Sequence, residues 1–291
     1  MNADALIERA IERAVAASEG PNAPPKLGAA IRHAVFPGGA RVRPQLCLAV
    51  AHACSENDDL TLAAGAGAAI ELLHCASLVH DDLPCFDAAD LRRGKASVHV
   101  AYGEPLAVLA GDALIVMAFE AVARECDGLP RRMCDILKIL SRAVGARDGI
   151  VAGQAWESEP EINLSAYHRS KTGALFVAAA ASGAASVGAD QAPWRALGER
   201  LGEAYQIADD IRDFVLDESV LGKPSGQDAA NARPNAVDSL GLDGALEQLN
   251  ALVNDAADAV PEGCAGADPL RALVFAQAKR LTPKHLANAA S

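Results

Sequence analysis

A long apolar helix that ends on two adjacent aspartates restricts this chain more than any other feature. Residues 60–82, LTLAAGAGAAIELLHCASLVHDD, have the composition of such a helix. Pro84 disfavours helical geometry at Leu83, so the helix should end near Asp82. The helix macrodipole is unfavourable to anions at that end, and adjacent carboxylates also repel each other. The sequence therefore predicts either a solvated helix end or cations that supply the missing positive charge.

Helical patterns continue along nearly the whole chain. Apolar residues, among which alanine dominates, make up 51% of the sequence, and aromatic residues make up only 4%. Alanine favours helices, whereas strands favour β-branched and aromatic residues. Further helices are predicted at 3–18, up to Val35, and at 43–54, 105–125, 130–148, 165–188, 194–217 and 240–258. No strand alternation persists and no composition shift marks a boundary, so we predict one all-α domain over residues 1–291.

Charge and cysteine content narrow the class of protein. There are 38 acidic residues against 26 lysines and arginines, a net charge of -12, which is the reverse of a typical nucleic-acid binder. Seven cysteines form no CxxC pair, and the N-terminus lacks a signal-peptide pattern. The uncharged stretch 172–189 is rich in Ala, Gly and Ser, which favours a buried helix over a membrane span. We therefore expect a cytoplasmic protein that binds no nucleic acid and does not span a membrane.

Six aspartates form two clusters with the same plan, each after an apolar helical stretch. They are Asp81, Asp82 and Asp87 in the first cluster, and Asp209, Asp210 and Asp213 in the second. Asp209 and Asp213 share one helix face, where like charges repel without a counterion, whereas Asp210 points elsewhere. Carboxylate oxygens are ligands that Mg²⁺ prefers, and Mg²⁺ typically joins carboxylates to phosphate. One acidic helix face is common on protein surfaces, but two such clusters indicate a site for metal and diphosphate.

Cationic side chains that suit a diphosphate lie near both clusters. They are Arg92 and Arg93 after the first cluster, Arg41 and Arg43 on the FPGGARVRP turn, Lys171 in SKTG and Lys223 in LGKPSG. Arginine binds phosphate bidentately, and lysine acts as a point charge. Each of these residues, taken singly, also fits a surface cation. His74 lies seven residues before Asp81 on the same helix face, where a core role and a ligand role are equally plausible.

With these motifs in order, the sequence resembles the trans-polyprenyl diphosphate synthase family. DDLPCFD is similar to the family's first aspartate-rich motif in its longer form, DDxxxxD, and DDIRD is similar to the second, DDxxD. GGARVRP, SKTGAL, AYQIADD and LGKPSGQD also match, from about residue 30 to residue 240. Wider runs are most similar to bacterial geranylgeranyl diphosphate synthases of carotenoid and bacteriochlorophyll pathways. The resemblance implies the isoprenoid synthase fold, a helical bundle around a central cavity, and a homodimer.

The resemblance also implies a reaction and a role for each matching residue. The family condenses isopentenyl diphosphate with an allylic diphosphate, whose ionisation Mg²⁺ assists. Asp81, Asp87 and Asp209 would be the main ligands of three Mg²⁺ ions, supported by Asp82, Asp210 and Asp213. Arg92, Lys171 and Lys223 would hold the allylic diphosphate, and Arg43, His74 and Arg93 that of isopentenyl diphosphate. Thr172 and Gln206 would offer oxygen dipoles to the allylic cation.

Three positions depart from the family pattern. Ala40 replaces the lysine of GGKRxRP, which removes one cation from the isopentenyl diphosphate pocket. Either Arg41 compensates for this loss or the affinity is lower. Ala88 and Ala89 stand where acids often follow the first motif. Because Asp87 remains, we expect metal binding to survive.

The residues before Asp81 predict the length of the product. In related short-product bacterial enzymes, the fifth residue before the motif is aromatic and blocks the growing tail. Here that residue is Ala76, followed by Ser77, so the tail can pass the fifteen-carbon stage. Candidates for the floor of the tunnel are Leu72, Leu73, Met117 and Phe119. We predict a mainly twenty-carbon product, geranylgeranyl diphosphate.

Three other interpretations stay open at this point. A farnesyl diphosphate synthase would keep the chemistry and stop at fifteen carbons. A class I terpene cyclase shares the aspartate clusters, but the second basic set of Arg43, His74 and Arg93 and the low aromatic content argue against it. A non-catalytic subunit that modulates a true synthase is kept open by Ala40, although both acidic clusters are intact.

Overall fold

The computed structural model of the protein describes residues 3–36, 39–55, 59–215, 235–264 and 266–281. Helices α1 to α6 are Ala3–Ala16, Pro25–Val35, Val42–Cys54, Thr61–Asp81, Val98–Tyr102 and Glu104–Arg124. Helices α7 to α13 are Pro130–Val144, Ile150–Ala155, Leu164–His168, Ala174–Ser186, Arg195–Val215, Ala236–Asp258 and Ala267–Leu281. Short 3-10 helices occupy Trp156–Ser158 and Ala192–Trp194, a π-helix occupies Arg169–Gly173, and strands β1 and β2 are Leu91–Arg92 and Lys95–Ala96. The prediction of an all-α architecture is confirmed.

Helix α4 forms the centre of the bundle because its sequence lets other helices approach it on several sides. It packs against α1, α3, α6 and α10, and most of its residues are buried. A Cβ on Gly67 would lie only 3.3 Å from Cα of Pro44 in α3, so the small residues of α4 permit a close approach. Burial of each of its Leu and Ile side chains contributes about 1.5–3 kcal/mol. The helix ends at Asp81 with Asp82 as its C-terminal cap, as the position of Pro84 predicts.

The uncharged stretch after Lys171 forms the buried helix α10, in agreement with the sequence analysis. α10 packs against α3, α4, α7 and α11, and nearly all of its residues are buried. A Cβ on Gly183 would lie 2.4 Å from the carbonyl oxygen of Cys47, so only glycine permits this approach of α10 to α3. The buried helices α4 and α10 thus pack against each other in the core beside the site described below.

Two described helices, α4 and α6, are long and apolar enough to cross a membrane by length and composition alone. In α4, 83% of the most apolar window is buried inside the protein, and core helices of soluble proteins meet the same criteria. In α6 the buried share is 44%, and Val108, Leu109 and Val116 are exposed. The structure therefore gives α4 a core role and leaves α6 with an uncovered apolar face.

Two predicted helices are interrupted. The helix predicted at 165–188 is divided by the π-helix that separates α9 from α10. The helix predicted at 240–258 begins at Ala236, and Gly241, with a φ of 71°, breaks its regular geometry. The first interruption matters for function, because the π-helix carries residues of the SKTG motif.

Arg41 ties the N-terminal helices to α4. Its guanidinium donates to Glu8 Oε1 at 2.8 Å, to Glu71 Oε1 at 2.7 Å and to the carbonyl oxygen of Val35 at 3.1 Å. Only 6% of the Arg41 side chain is exposed, and Glu71 is buried within α4. Loss of one member of a buried ion pair costs about 3–5 kcal/mol. The structure therefore gives Arg41 a role in the fold. Compensation for Ala40 by Arg41 stays a prediction.

Candidate functional site

A cavity of about 570 Å³ opens among α4, α6, α8, the π-helix and α11. This volume is within the range of small-molecule sites. Twelve of the predicted site residues line it: Arg43, His74, Ala76, Ser77, Asp81, Asp87, Arg92, Lys171, Thr172, Gln206, Asp209 and Asp213. The two aspartate clusters therefore share one space, although they are far apart in the sequence.

The loop after α4 brings Asp87 back beside Asp81. The Asp87 N–H donates to the carbonyl oxygen of Asp81 at 2.9 Å, and the Ala88 N–H donates to that of Leu83 at 3.0 Å. These bonds satisfy carbonyl groups that a helix end leaves without partners. Burial raises the pKa of Asp81, an effect that Lys171 opposes and that the charge of Asp87 reinforces. The ionised carboxylates of this cluster are therefore held at an energetic cost, which an added cation would relieve.

A short hairpin positions Arg92 and Arg93 beside the first cluster. Strands β1 and β2 pair in antiparallel register, with Arg92 opposite Lys95. The two turn residues, Arg93 and Gly94, have φ angles of 54° and 75°, as a type I′ turn requires. On β1, Arg92 Nε donates to Asp82 Oδ1 at 2.9 Å, and a terminal nitrogen contacts the same oxygen. This ion pair neutralises the buried Asp82 and leaves Arg92 on the wall of the cavity.

A glycine of the GGARVRP turn receives the guanidinium of Arg93. A Cβ on Gly39 would lie 2.9 Å from Arg93 Cζ, so a larger residue there would displace the guanidinium. Arg93 does not line the cavity itself. Its charge nevertheless reaches His74, whose pKa it helps to lower. Arg93 therefore contributes positive charge from just behind the wall of the cavity.

The π-helix projects Lys171 and Thr172 into the cavity. Two glycines of neighbouring helices pack closely against this turn. A Cβ on Gly153 of α8 would lie 2.5 Å from the Lys171 backbone nitrogen. A Cβ on Gly202 of α11 would lie 2.6 Å from Cα of Gly173. Turns of π-helix are rare and frequently occur at functional sites. The sequence analysis predicted an uninterrupted α-helix here, because the wide turn depends on these close contacts with other helices.

Lys171 joins the first cluster to an acid that the sequence analysis did not assign. Its Nζ donates to Glu157 Oε1 at 2.6 Å and lies 3.4 Å from Asp81 Oδ1. Glu157 Oε1 also accepts a hydrogen bond from the Tyr167 hydroxyl at 2.8 Å, and its Oε2 accepts one from Gln154 Nε2 at 3.1 Å. Three donors therefore hold Glu157 where it orients Lys171. The run GQAWESE, which contains Gln154 and Glu157, was the available signal in the sequence.

A chain of hydrogen bonds orients Thr172 and Gln206. The Thr172 hydroxyl donates to Gln206 Oε1 at 2.7 Å, and Gln206 Nε2 donates to Asp210 Oδ1 at 2.9 Å. Asp210 is buried and its Oδ2 accepts from the Ala236 N–H at 2.8 Å, which anchors the start of α12. The Thr172 hydroxyl uses its hydrogen in the bond to Gln206. The lone pairs of the Thr172 oxygen are therefore left for an electron-poor group in the cavity.

Asp209 and Asp213 lie one turn apart on α11, and both line the cavity, as their spacing predicts. Asp209 Oδ1 accepts from a terminal nitrogen of Arg212 at 2.5 Å, and 55% of the Asp209 side chain is exposed. Exposed ion pairs of this kind contribute little to stability. The Asp209 carboxylate is therefore accessible to another cation, whereas the buried carboxylate of Asp82 is committed to Arg92.

A second group of polar side chains in the cavity is cationic. Arg43 lies over the ring of Phe176, with its Cζ 4.5 Å from the ring centroid. Burial lowers the pKa of Arg43, but an arginine remains charged at neutral pH. Burial and the charges of Arg43 and Arg93 hold the pKa of His74 well below its ordinary value. The group therefore offers an anion one fixed positive charge and a neutral imidazole.

Small and apolar residues line much of the rest of the cavity, together with aromatic and polar ones that include Phe86, Tyr167 and Tyr205. Ala76 and Ser77 lie on the α4 side, and Ile115 lies on the α6 side. Further apolar lining comes from Leu73, Val144, Ile150, Val151 and Leu175. The other predicted floor residues, Leu72, Met117 and Phe119, are not among the lining residues.

Five predicted site residues stand apart from the twelve that line the cavity. Asp82 and Asp210 act from behind the wall through the side chains that they hold, and Arg93 lies behind the wall as well. Arg41 is engaged in the fold. Lys223 lies outside the described residues.

Comparison with known proteins agrees with this geometry. Residues 24–260 match the model of the family described as polyprenyl synthetase. The chain belongs to the polyprenyl synthetase family.

Two relatives and one solved structure are similar to this polyprenyl synthetase over nearly its whole length. It is 51% identical to the geranylgeranyl diphosphate synthase of Cereibacter sphaeroides, with 97% of each chain covered. It is 47% identical to that of Rhodobacter capsulatus, with 97% of this chain and 96% of the relative covered. The geranyltransferase from Helicobacter pylori, complexed with magnesium and isoprenyl diphosphate, gives a TM-score of 0.79 at 30% identity, with 96% of this chain and 98% of that one covered.

The lowered pKa of His74 predicts how a substitution changes the pH dependence of stability. Below pH of about 6.5 the unfolded chain binds a proton at this histidine that the folded polyprenyl synthetase resists, so the wild type loses stability there by at most ~1.4 kcal/mol per pH unit. The variant His74→Gln lacks this loss. The unfolding free energy of the variant minus that of the wild type should therefore increase as the pH is lowered from 7 to 5. Urea unfolding measures this difference.

A matched control for the loss of a histidine is His52→Gln, at an exposed position on α3. Parallel stability profiles for His74→Gln and the wild type over this pH range would show that burial and the neighbouring arginines do not lower the pKa of His74.

Proposed function

We propose that this protein is a geranylgeranyl diphosphate synthase, which condenses isopentenyl diphosphate with an allylic diphosphate. The observation that carries the proposal is that two aspartate clusters and a separate cationic group line one cavity. The allylic diphosphate has to leave, which requires strong neutralisation of its charge, whereas the diphosphate of the second substrate only has to be held. The similarity to the synthases of Cereibacter sphaeroides and Rhodobacter capsulatus supports this activity.

The donor set of the cavity suits Mg²⁺. Asp81, Asp87 and Asp209 are the proposed ligands of three ions, and their carboxylate oxygens are hard donors. Within the described ranges, no three His, Cys, Asp or Glu side chains converge closely enough to hold a metal by themselves. That is expected for Mg²⁺, which usually completes its coordination with waters and substrate phosphates. When bound, Mg²⁺ supplies Lewis-acid stabilisation of the departing diphosphate.

The residues around the first cluster hold the allylic diphosphate and assist its departure. Arg92 offers a guanidinium whose position is set by Asp82, and Lys171 offers an ammonium whose position is set by Glu157. Lys223 is proposed to add a third cation, on the resemblance of LGKPSG to the family motif. The oxygens of Thr172 and Gln206 then face the allylic cation, and such fixed dipoles stabilise developing charge without having to reorganise.

The cationic group holds isopentenyl diphosphate. Arg43 and His74 line the cavity, and Arg93 lies behind them with its guanidinium on Gly39. Held there, isopentenyl diphosphate attacks the allylic cation with its double bond, and the proton lost after bond formation passes to the released diphosphate. No side-chain nucleophile is needed. The binding groups of this chain thus set the distance between two substrates, which lowers the entropic part of the barrier.

The other interpretations fit the site less well. A terpene cyclase has only one diphosphate to bind, so the group formed by Arg43, His74 and Arg93 would have no role. A non-catalytic modulating subunit has no need for two aspartate clusters in a single cavity with Lys171 beside the first of them. A farnesyl diphosphate synthase requires a blocked tunnel, whereas Ala76 and Ser77 leave the α4 wall open.

Removal of a metal ligand tests the reaction. Asp209→Asn should lower kcat at least about 10²-fold, because charge stabilisation of the leaving diphosphate is lost. Excess EDTA should have the same effect on the wild type. The assay follows incorporation of labelled isopentenyl diphosphate with geranyl diphosphate as the allylic substrate. Asp243→Asn, at an exposed position on α12, is the matched control and should retain wild-type activity. Full activity of Asp209→Asn would rule out the proposed metal role.

The product length depends on the small residue at Ala76. An aromatic ring at this position would project into the cavity and stop the tail, so Ala76→Tyr should shift the main product from twenty to fifteen carbons. Chromatography of the dephosphorylated products measures the shift. Ala76→Ser is the matched control, since it keeps a small side chain and should keep the twenty-carbon product. If Ala76→Tyr still makes mainly twenty carbons, the tail does not pass this wall.

The exposed apolar face of α6 supports the homodimer that the resemblance implies. Val108, Leu109 and Val116 lie uncovered on this helix, and 67% of Val116 is exposed. Apolar patches of this kind mark interfaces with other proteins. Val116→Lys should weaken self-association and lower the weight-average mass in sedimentation equilibrium, whereas Val151→Lys, at a valine on α8 that is 55% exposed, should not. A wild-type protein that sediments as a monomer at micromolar concentration would exclude the dimer.

A further inference from the structure

A second cavity, of about 290 Å³, lies on the far side of the π-helix, among α7, α9, α10 and α11. Its apolar lining is formed by Ile139, Ala143, Ala174, Val177 and Ala178. Four guanidinium groups, those of Arg142, Arg147, Arg169 and Arg195, also line it. Three carboxylates are present as well, on Asp148, Glu199 and Glu203. The cavity therefore combines an apolar surface with a concentration of arginine that is unusual in a chain of net charge -12.

Three of these guanidinium groups, those of Arg142, Arg147 and Arg195, share few carboxylates. Arg142 lies 3.0 Å from Asp148 Oδ2 and Arg147 lies 3.8 Å from the same oxygen, so one carboxylate serves two arginines. Glu203 contacts Arg200, which does not line the cavity. In the part of the chain that the structure describes, no carboxylate forms an ion pair with Arg195. The lining thus retains donors for an anion.

We propose that this second cavity binds a phosphate monoester that carries a short apolar chain, and that it does so without a metal ion. Guanidinium groups bind phosphate oxygens bidentately, and they supply charge that does not depend on a divalent cation. The apolar lining would take the chain. The volume is close to the lower end of the range of small-molecule sites, so the chain has to be short.

The second cavity shares a wall with the catalytic cavity. Ser170 and Gly173 of the π-helix line the second cavity, whereas Lys171 and Thr172 of the same turn line the first. Gln206 lines both cavities, and its Oε1 accepts a hydrogen bond from the Thr172 hydroxyl. A ligand in the second cavity therefore contacts the residue that orients Thr172, although it shares no aspartate cluster with the substrates.

Trp156 provides a local probe of binding. It lines the second cavity and is one of two tryptophans in the chain, the other being the buried Trp194. In a Trp194→Phe background, octyl phosphate added in excess EDTA should change the fluorescence of Trp156 in a saturable way. Octyl phosphate should bind at least about tenfold more tightly than inorganic phosphate or octanol, because it engages both the arginines and the apolar lining. Isothermal titration of the wild type gives the same comparison if the Trp194→Phe protein does not fold.

Charge removal from the second cavity should abolish this binding selectively. The double variant Arg142→Gln/Arg195→Gln should weaken octyl phosphate at least about tenfold. The control Arg131→Gln/Lys138→Gln removes two exposed positive charges from α7 outside the cavity and should bind normally. Arg92→Gln, in the catalytic cavity, should bind normally as well.

Three results would overturn the proposal. They are the absence of saturable binding to the wild type, equal affinity for octyl phosphate and inorganic phosphate, and loss of binding in Arg92→Gln with retention in Arg142→Gln/Arg195→Gln. None of them bears on the condensation reaction, which is assayed separately with Mg²⁺ present.

Discussion

Mutual repulsion of carboxylates around one cavity determines how the rest of the site is built. Asp81, Asp87 and Asp209 line the same partly enclosed space, where charges interact more strongly than in water. Cations from different elements reduce that repulsion, among them Lys171 from the π-helix and Arg92 from the hairpin. They relieve only part of the cost, since the pKa of Asp81 stays raised despite Lys171. A divalent cation bound as proposed would relieve the remaining cost.

Two cations near the first cluster, Arg92 and Lys171, are each held in place by an acid. Asp82 fixes Arg92, and Glu157 fixes Lys171 with help from its own donors. This arrangement lowers the entropy that the long side chains would lose on binding an anion, because they are already ordered. The cationic group around Arg43 has a different design, in which an aromatic ring, and not an acid, supports the guanidinium. The two designs agree with the proposal that the cavity binds two diphosphates, one that leaves and one that stays.

Sequence reasoning reached the helices and most of the cavity, and it failed where a feature depends on the packing of several helices. The end of α4 at Asp81 follows from Pro84, and the shared face of Asp209 and Asp213 follows from the helical period. The contacts of Arg41 were not predicted, because its buried partner Glu71 lies thirty residues away in α4. Nothing in the local pattern distinguishes an arginine that will face a substrate from one that will face a buried acid.

The sequence by itself determined the helical class, the spacing of the acids along each helix and the small residues that leave the α4 wall open. Those properties depend on neighbours within one or two turns, whose dihedral preferences and side-chain periods are local. Only the tertiary structure decided that the two clusters line one cavity, that the SKTG segment forms a π-helix, and that Glu157 holds Lys171 beside Asp81. The π-helix shows the reason, since its geometry depends on Gly153 and Gly202 approaching from two other helices. Such contacts exist only once the bundle has closed.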